Sequence, residues 1–189
     1  MLFRSGFDVI LIETVGVGQS EVTVSEMVDF FLLLLLPGSG DSLQGIKKGV
    51  LELADLIAVN KADGENELRA KQSARDYQSA MALLSNAGSH WATPVLTCSA
   101  LTGQGVSNIW DHISDHHTHA QETGAWSKRR SQQQIRWMWS MVEDQLIHNL
   151  RNEASIAQTV SETEEQVLNG DLSATEAAKA ILALFKESS

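Results

Sequence analysis

The chain has 189 residues, 43% hydrophobic and 20% charged, with a net charge of −10. That is one globular domain, or one domain with an appendage, and not a disordered chain. The acidic balance argues against a general nucleic-acid binder, and the single Cys98 excludes a disulfide framework or a multi-cysteine metal site. In chain order, Val9–Ile12 is apolar enough for a strand, Glu21–Val28 for a short helix and Phe30–Leu36 for a second strand ending at Pro37. Leu43–Leu53 can be helical, with Ile46, Val50 and Leu53 on one side. Leu56–Val59 is a third strand, Glu65–Ala87 a helix with Tyr77, Met81 and Leu84 on one face, Pro94–Cys98 a fourth strand, and Val106 to about His116 a helix. The strands are continuous apolar runs, so helices should cover both faces of a mostly parallel, doubly wound α/β sheet.

After about Thr118 no strand candidate remains. The expected division is residues 1–118 as an α/β domain and 119–189 as a helical arm. Ser127 is the expected cap of a helix running to about Leu150, with Ile135, Met138, Trp139, Val142, Leu146 and Leu150 at three- and four-residue spacing. Ile156, Val160, Val167 and Leu168 mark a helix ending before Gly170. Ser173-x-x-Glu176 is a capping box opening a last helix. Three such helices bury little alone and should pack on the α/β domain or on a second copy. The longest apolar run, Phe30–Leu36, is far short of the roughly 20 residues that span a membrane. No leader pattern opens the chain, so a cytoplasmic protein is expected.

Three loops carry chemistry. Asn60-Lys61-Ala62-Asp63 follows a buried strand, in the form NKxD. An Asp carboxylate there can accept from guanine N1–H and its exocyclic amine, a Lys stem can lie over the base, and an Asn can tie neighbouring turns together. The alternative is a strand-to-helix turn with a helix-starting Asp. Ser99-Ala100-Leu101 follows the next strand and can offer backbone N–H groups to guanine O6. Both loops lie where parallel sheets bind ligands. Glu13-Thr14-Val15-Gly16 ends the first strand: Glu13 can hold Mg²⁺ and Gly16 lets a backbone N–H approach a γ-phosphate.

On these residues the chain resembles a known family. Phe7 to Glu21, reading FDVILIETVGVGQSE, is similar to the switch II segment of the MeaB/ArgK GTPases. Gly40 to Gly49 is similar to that family's additional switch III, and the helix holding Arg136-Trp137-Met138-Trp139 agrees as well. The resemblance implies a P-loop GTPase fold, GTP/GDP and Mg²⁺ as ligands, and a homodimer formed by the C-terminal helices. It implies a chaperone role: gating adenosylcobalamin delivery to methylmalonyl-CoA mutase and protecting that enzyme. Glu13 would be the Mg²⁺ ligand, Asn60, Lys61, Ala62 and Asp63 would surround guanine, and Ser99, Ala100 and Leu101 would close over it. Asp41, Gln44, Lys47 and Lys48 would belong to the switch that meets the mutase.

The 189 residues contain no GxxxxGK[ST]: after Gly40 to Gly45 comes Ile46 where Lys must stand. The family carries its P-loop upstream of the segment matching Glu13, so an N-terminally truncated member is expected, weak in phosphate recognition and hydrolysis. Val9–Ile12 should then lack a pairing partner on one side. Gln19 lies three positions beyond Gly16 and takes no water-orienting role. Two rival readings stay open. One is a non-catalytic dimerisation or mutase-binding fragment. The other is a nickel-insertion GTPase using His112, His116, His117 and His119, against which stands a solvated helix end. Cys98 reads as a buried hydrophobe, and Trp137 and Trp139 as packing residues of the arm.

Overall fold

Leu56–Val59 is buried along its whole length and is the middle strand, β2, of a three-stranded parallel sheet. The computed structural model describes residues 6–14, 20–38, 48–84, 91–152 and 154–188. β1 (Leu32–Leu35) pairs with β2 in the register Leu32↔Leu56 to Leu35↔Val59. β3 (Val95–Thr97) pairs on the other side, Ile57↔Val95 to Val59↔Thr97. The pleat sorts the apolar run onto two faces. Ile57 and Val59 join Phe31, Leu51, Ala54, Ala70 and Tyr77 on one face; Leu56 and Ala58 meet Cys98, Ile109, Leu96 and Ile113 on the other.

The first face is covered by α1 (Ser20–Met27), α2 (Lys48–Leu53) and α3 (Glu67–Leu84). The second is covered by α4 (Val106–Glu122). The expected α/β architecture with helices on both faces is therefore what the chain adopts. Strand order follows chain order, each parallel step crossing through a helix, as parallel pairing requires. Gly38 N–H donates to Ser73 Oγ at 3.1 Å and ties the turn after β1 to α3. Gly105 opens α4 with φ 77°, and a Cβ there would collide with the Thr97 carbonyl oxygen, so only glycine lets α4 start this close to β3.

Two expectations fail in this half of the chain. Val9–Ile12 is not a strand: the segment pairs with none of the described strands, and Leu11 is 88% exposed. Apolar composition makes a strand only where a neighbouring strand takes its ladder hydrogen bonds. Nor does Ser127 cap the long helix. That helix, α5 (Ala125–Asn152), starts directly after Gly124, which takes φ 72°, and Lys128 N–H already donates to Gly124 O at 3.2 Å.

The chain divides into two compact units, residues 1–133 and 134–189, the boundary falling inside α5. The second unit holds the rest of α5, α6 (Ala154–Asn169) and α7 (Ala174–Ser188), with α6 packed on α7. Gly170 ends α6 at φ 79°, and Asp171 N–H donates back to Gln166 O at 2.9 Å. The capping box forms as the sequence predicts: Ser173 Oγ bonds Glu176 Oε2 at 2.7 Å, and Glu176 N–H donates to Ser173 Oγ at 3.3 Å. Hydrogen bonding to Ser173 holds the Glu176 carboxyl below the usual carboxylate range. Among the described residues no helix is long and apolar enough to cross a membrane.

Candidate nucleotide-base site

β2 and β3 deliver the two loops to the same end of the sheet, the carboxyl ends of the strands. Ala62 N–H donates to Cys98 O at 2.9 Å and Cys98 N–H to Val59 O at 2.9 Å, so the chains leave the sheet side by side. Asn60 then joins the loops. Its Oδ1 accepts from Lys61 N–H at 2.7 Å and from Ala100 N–H at 3.0 Å, with the Cys98 thiol 3.8 Å away. Lys61 is held in the left-handed region at φ 58°, a conformation costing roughly 1 kcal/mol or more for a non-glycine residue. The short bond to the neighbouring Asn60 side chain helps hold it there.

Asp63 occupies the N-cap position of the 3₁₀ turn Gly64–Asn66, yet its side chain makes no cap bond. Its Oδ2 instead accepts the Ser99 hydroxyl. Ser99 is fully buried, and its Oγ also accepts Thr102 N–H at 3.1 Å. Ser99 N–H donates to Gln104 O and Gly103 N–H to Ser99 O, each at 2.9 Å, which closes the loop on itself. The bland reading of Asp63 as a helix-starting residue therefore does not describe its carboxylate.

Between the loops lies an open hollow of ≈ 240 Å³ lined by Asn60, Lys61, Asp63, Asn66, Ala100 and Leu101. It exposes a carboxylate, an amide and a backbone edge beside the apolar Leu101 side chain and Lys61 stem: in-plane hydrogen bonding with apolar cover, which suits a flat polar heterocycle. Asn66 was not singled out by the motif; its position in the first turn after Asp63 was the only signal. Ala62 lies apart from the hollow and packs in the core with Val59 and Ala70. Cys98 is buried beneath the site, and burial pushes its thiol pKa up, away from nucleophilic reactivity. Glu13 is exposed, next to the last residue of segment 6–14. Gly16, Asp41, Gln44 and Lys47 lie outside the described residues; Lys48 begins α2.

The four histidines of α4 do not converge. His112 Nδ1 lies 2.8 Å from Asn108 O, within the helix. His116 is buried edge-on against Phe30 and Trp91, and His117 packs edge-on against Trp126. Among the described residues no three His, Cys, Asp or Glu side chains form a metal-binding group. The core spacing Ile109, Ile113, His116, Ala120 explains why one histidine of the four turns inward.

The parallel sheet, its two helical faces and the paired loops at the strand ends define the α/β domain of a P-loop GTPase fold. A family model for Methylmalonyl Co-A mutase-associated GTPase MeaB matches residues 1–155. The chain belongs to that family. A "Putative GTPase" of Caulobacter vibrioides is 49% identical over 181 residues, covering 96% of this chain and 55% of that relative. The "Methylmalonic aciduria type A homolog, mitochondrial" of Mus musculus is 39% identical, covering 96% of this chain and 44% of that protein. The crystal structure of an LAO/AO transport system kinase superposes with a TM-score of 0.73 at 35% identity, covering 96% of this chain and 58% of that one. The chain thus spans about half the length of the relatives it matches.

Proposed function

We propose that this chain carries the base-reading part of a guanine-nucleotide site in a GTPase that gates adenosylcobalamin delivery to methylmalonyl-CoA mutase and protects that enzyme. The observation that carries the reading is Asp63. Ser99 takes Oδ2, and Oδ1 has no hydrogen-bond partner among the described residues. An acceptor held at the rim of the hollow suits the paired donors of guanine and is mismatched to adenine. Lys61 and Leu101 would flank the base, and the base carbonyl would compete with Asn60 Oδ1 for the Ala100 N–H. Glu13 would supply one carboxylate to a Mg²⁺ shell completed by phosphate oxygens and water. The mutase association rests on family membership and on the resemblance of the Gly40–Gly49 segment, with Asp41, Gln44, Lys47 and Lys48 as the partner contacts. The working divisions are a partial G domain over 1–118 and a helical arm over 119–189, acting in the cytoplasm.

By themselves the 189 residues are proposed to bind GTP weakly and to hydrolyse it poorly, because they hold no GxxxxGK[ST] to cradle the phosphates. Calorimetry with GDP, ADP and GTP tests both parts. GDP should bind more weakly than micromolar but better than ADP, and Asp63→Asn should cut the guanine preference about tenfold, the worth of one charged hydrogen bond. Equal affinity for GDP and ADP would remove the base reading; micromolar GTP binding with robust turnover would remove the hydrolytic defect.

The arm supports a homodimer. Ile135, Met138, Trp139, Val142 and Leu146 of α5 are all exposed, Trp139 by 56%. Large apolar side chains in a row on one helix favour an interface. Light scattering should report a dimer, shifted toward monomer by Trp139→Glu; a monomeric wild-type chain would refute it.

A further inference from the structure

At the amino ends of the strands, opposite the base site, stands an ion cluster that no nucleotide motif requires. Asp55, just before β2, accepts Phe31 N–H at 2.8 Å and holds Arg129 by two bonds: Nη1 to Oδ2 at 3.0 Å and Nη2 to Oδ1 at 3.1 Å. Arg129 also donates to the Asp29 carbonyl, and Arg130 pairs with the Asp29 carboxylate. Gln133 Nε2 donates to Val28 O at 2.9 Å. These bonds fasten the first turns of α5 to the entrances of β1 and β2. His116 of α4 enters the cluster from beneath, with Nε2 3.7 Å from Asp55 Oδ1, the oxygen that Arg129 Nη2 uses.

We propose that His116 is a proton-operated release for this clasp, its imidazolium displacing Arg129 from Asp55 and freeing the root of α5.

The argument is one of charge and burial. With His116 neutral, two arginines face two carboxylates, Arg129 on Asp55 and Arg130 on Asp29. A proton on His116 adds a third cation. It does so between the rings of Phe30 and Trp91, at 5.0 and 4.9 Å, where the charge has little water. The groups facing it are Asp55, Arg129, His119 and His117, with Arg130 and Asp29 beyond. Asp55 alone can neutralise it, and it competes there with Arg129. The Arg129 side chain is 36% exposed, against 11% for His116, so Arg129 is the cation that can retreat into water. Burial holds the His116 pKa below its ordinary 6.5, outweighing the attraction of Asp55. Between the folded and unfolded pKa values the unfolded chain binds more protons, so stability is lost as pH falls through 6.5. Through neutral pH the clasp stays shut; it opens on the acid side.

Trp91 supplies the reporter. Its indole N–H donates to Asp55 O at 2.9 Å and its ring meets His116 edge-on, so a proton on His116 changes Trp91 emission. The experiment follows the His116 ring by NMR from pH 8 to pH 5, together with amide exchange, corrected for intrinsic rate, at residues 128–133. The expected result is loss of protection at 128–133 over the interval in which His116 protonates, and no such loss in His116→Gln. Arg129→Lys, which keeps the cation but forfeits the two-pronged grip, should raise the His116 midpoint, because Asp55 becomes available to the imidazolium. Protection that ignores His116 protonation, protection lost equally in His116→Gln, or a midpoint unmoved by Arg129→Lys would each overturn the proposal.

Discussion

Asp55 and Asp63 stand beyond opposite ends of β2, and they differ in what is left over. Asp55 has both oxygens committed, to Phe31 N–H and to the two arms of Arg129. Asp63 gives one oxygen to the buried Ser99 hydroxyl and presents the remainder at a hollow. A carboxylate with its acceptor capacity consumed contributes to stability; one positioned by a single buried partner and facing open space is prepared for a ligand. The same strand therefore carries a fastening at one end and, at the other, the carboxylate proposed to read the base.

Removing Asp55 should be the costliest change of those that separate the two ends. Asp55→Ala strands the Phe31 N–H and leaves Arg129 with the Asp29 carbonyl but no carboxylate, for a loss of about 2–3 kcal/mol, below the usual range for breaking a buried pair because Arg129 is partly exposed. Urea unfolding should show a lower midpoint at unchanged slope. Asp63→Ala should cost well under half as much. Similar losses at the two sites would break the distinction drawn between them. Ser99→Ala sharpens it: the buried hydroxyl serves Asp63 and Thr102 N–H, so its removal should cost about 1–2 kcal/mol while weakening guanine selectivity. A stability loss with selectivity intact would mean that Ser99 supports the loop and not the carboxylate's aim.

The meeting of the two loops at one end of β2 was legible in the sequence, and the fastening at the other end was not. NKxD and Ser-Ala-Leu are contiguous stretches behind apolar strands, so spacing alone places them together. β2 matches its expected range to the residue and is buried at all four positions. The bonds from α5 join residues 74 to 105 positions apart, and nothing local distinguishes Arg129 from any solvated helix charge. Val9–Ile12 failed for a related reason: composition shows that a segment can be a strand, while pairing depends on what lies beside it. Ser127 failed because Gly124 had already turned the chain into α5, and a left-handed glycine before a helix is easily overlooked beside a serine. His116 was visible in principle, since it continues the Ile109–Ile113 stripe, but as one of four neighbouring histidines it read as part of a polar cluster.

A smaller effect is expected in the second unit. Ser173→Ala removes the cap of α7 and should cost about 1 kcal/mol. The bond between Ser173 and Glu176 depresses the Glu176 pKa, so its contribution is present above about 4.5, the ordinary glutamate value, and fades as pH falls through the lower folded value. The acid limb of a stability–pH profile should flatten slightly in Ser173→Ala; an unchanged limb would show that the pair is too well solvated to matter.

The smallest expected effect lies midway between the two ends, under the sheet. Tyr77 is wholly buried on α3, and its phenolic oxygen has no hydrogen-bond partner among the described residues. Burial accordingly pushes its pKa up, with Asp76 adding to the shift. The ring fills the core with Ile57, Val59 and Ala70, so its packing must be kept; only the hydroxyl is unrewarded. Tyr77→Phe retains the ring and removes the buried polar atom, and should leave stability unchanged or raise it by up to about 1 kcal/mol. Denaturant unfolding of the two proteins decides it. A loss larger than about 1 kcal/mol would mean that the hydroxyl does find a partner, and that this face of the sheet, like its two ends, depends on a buried polar bond.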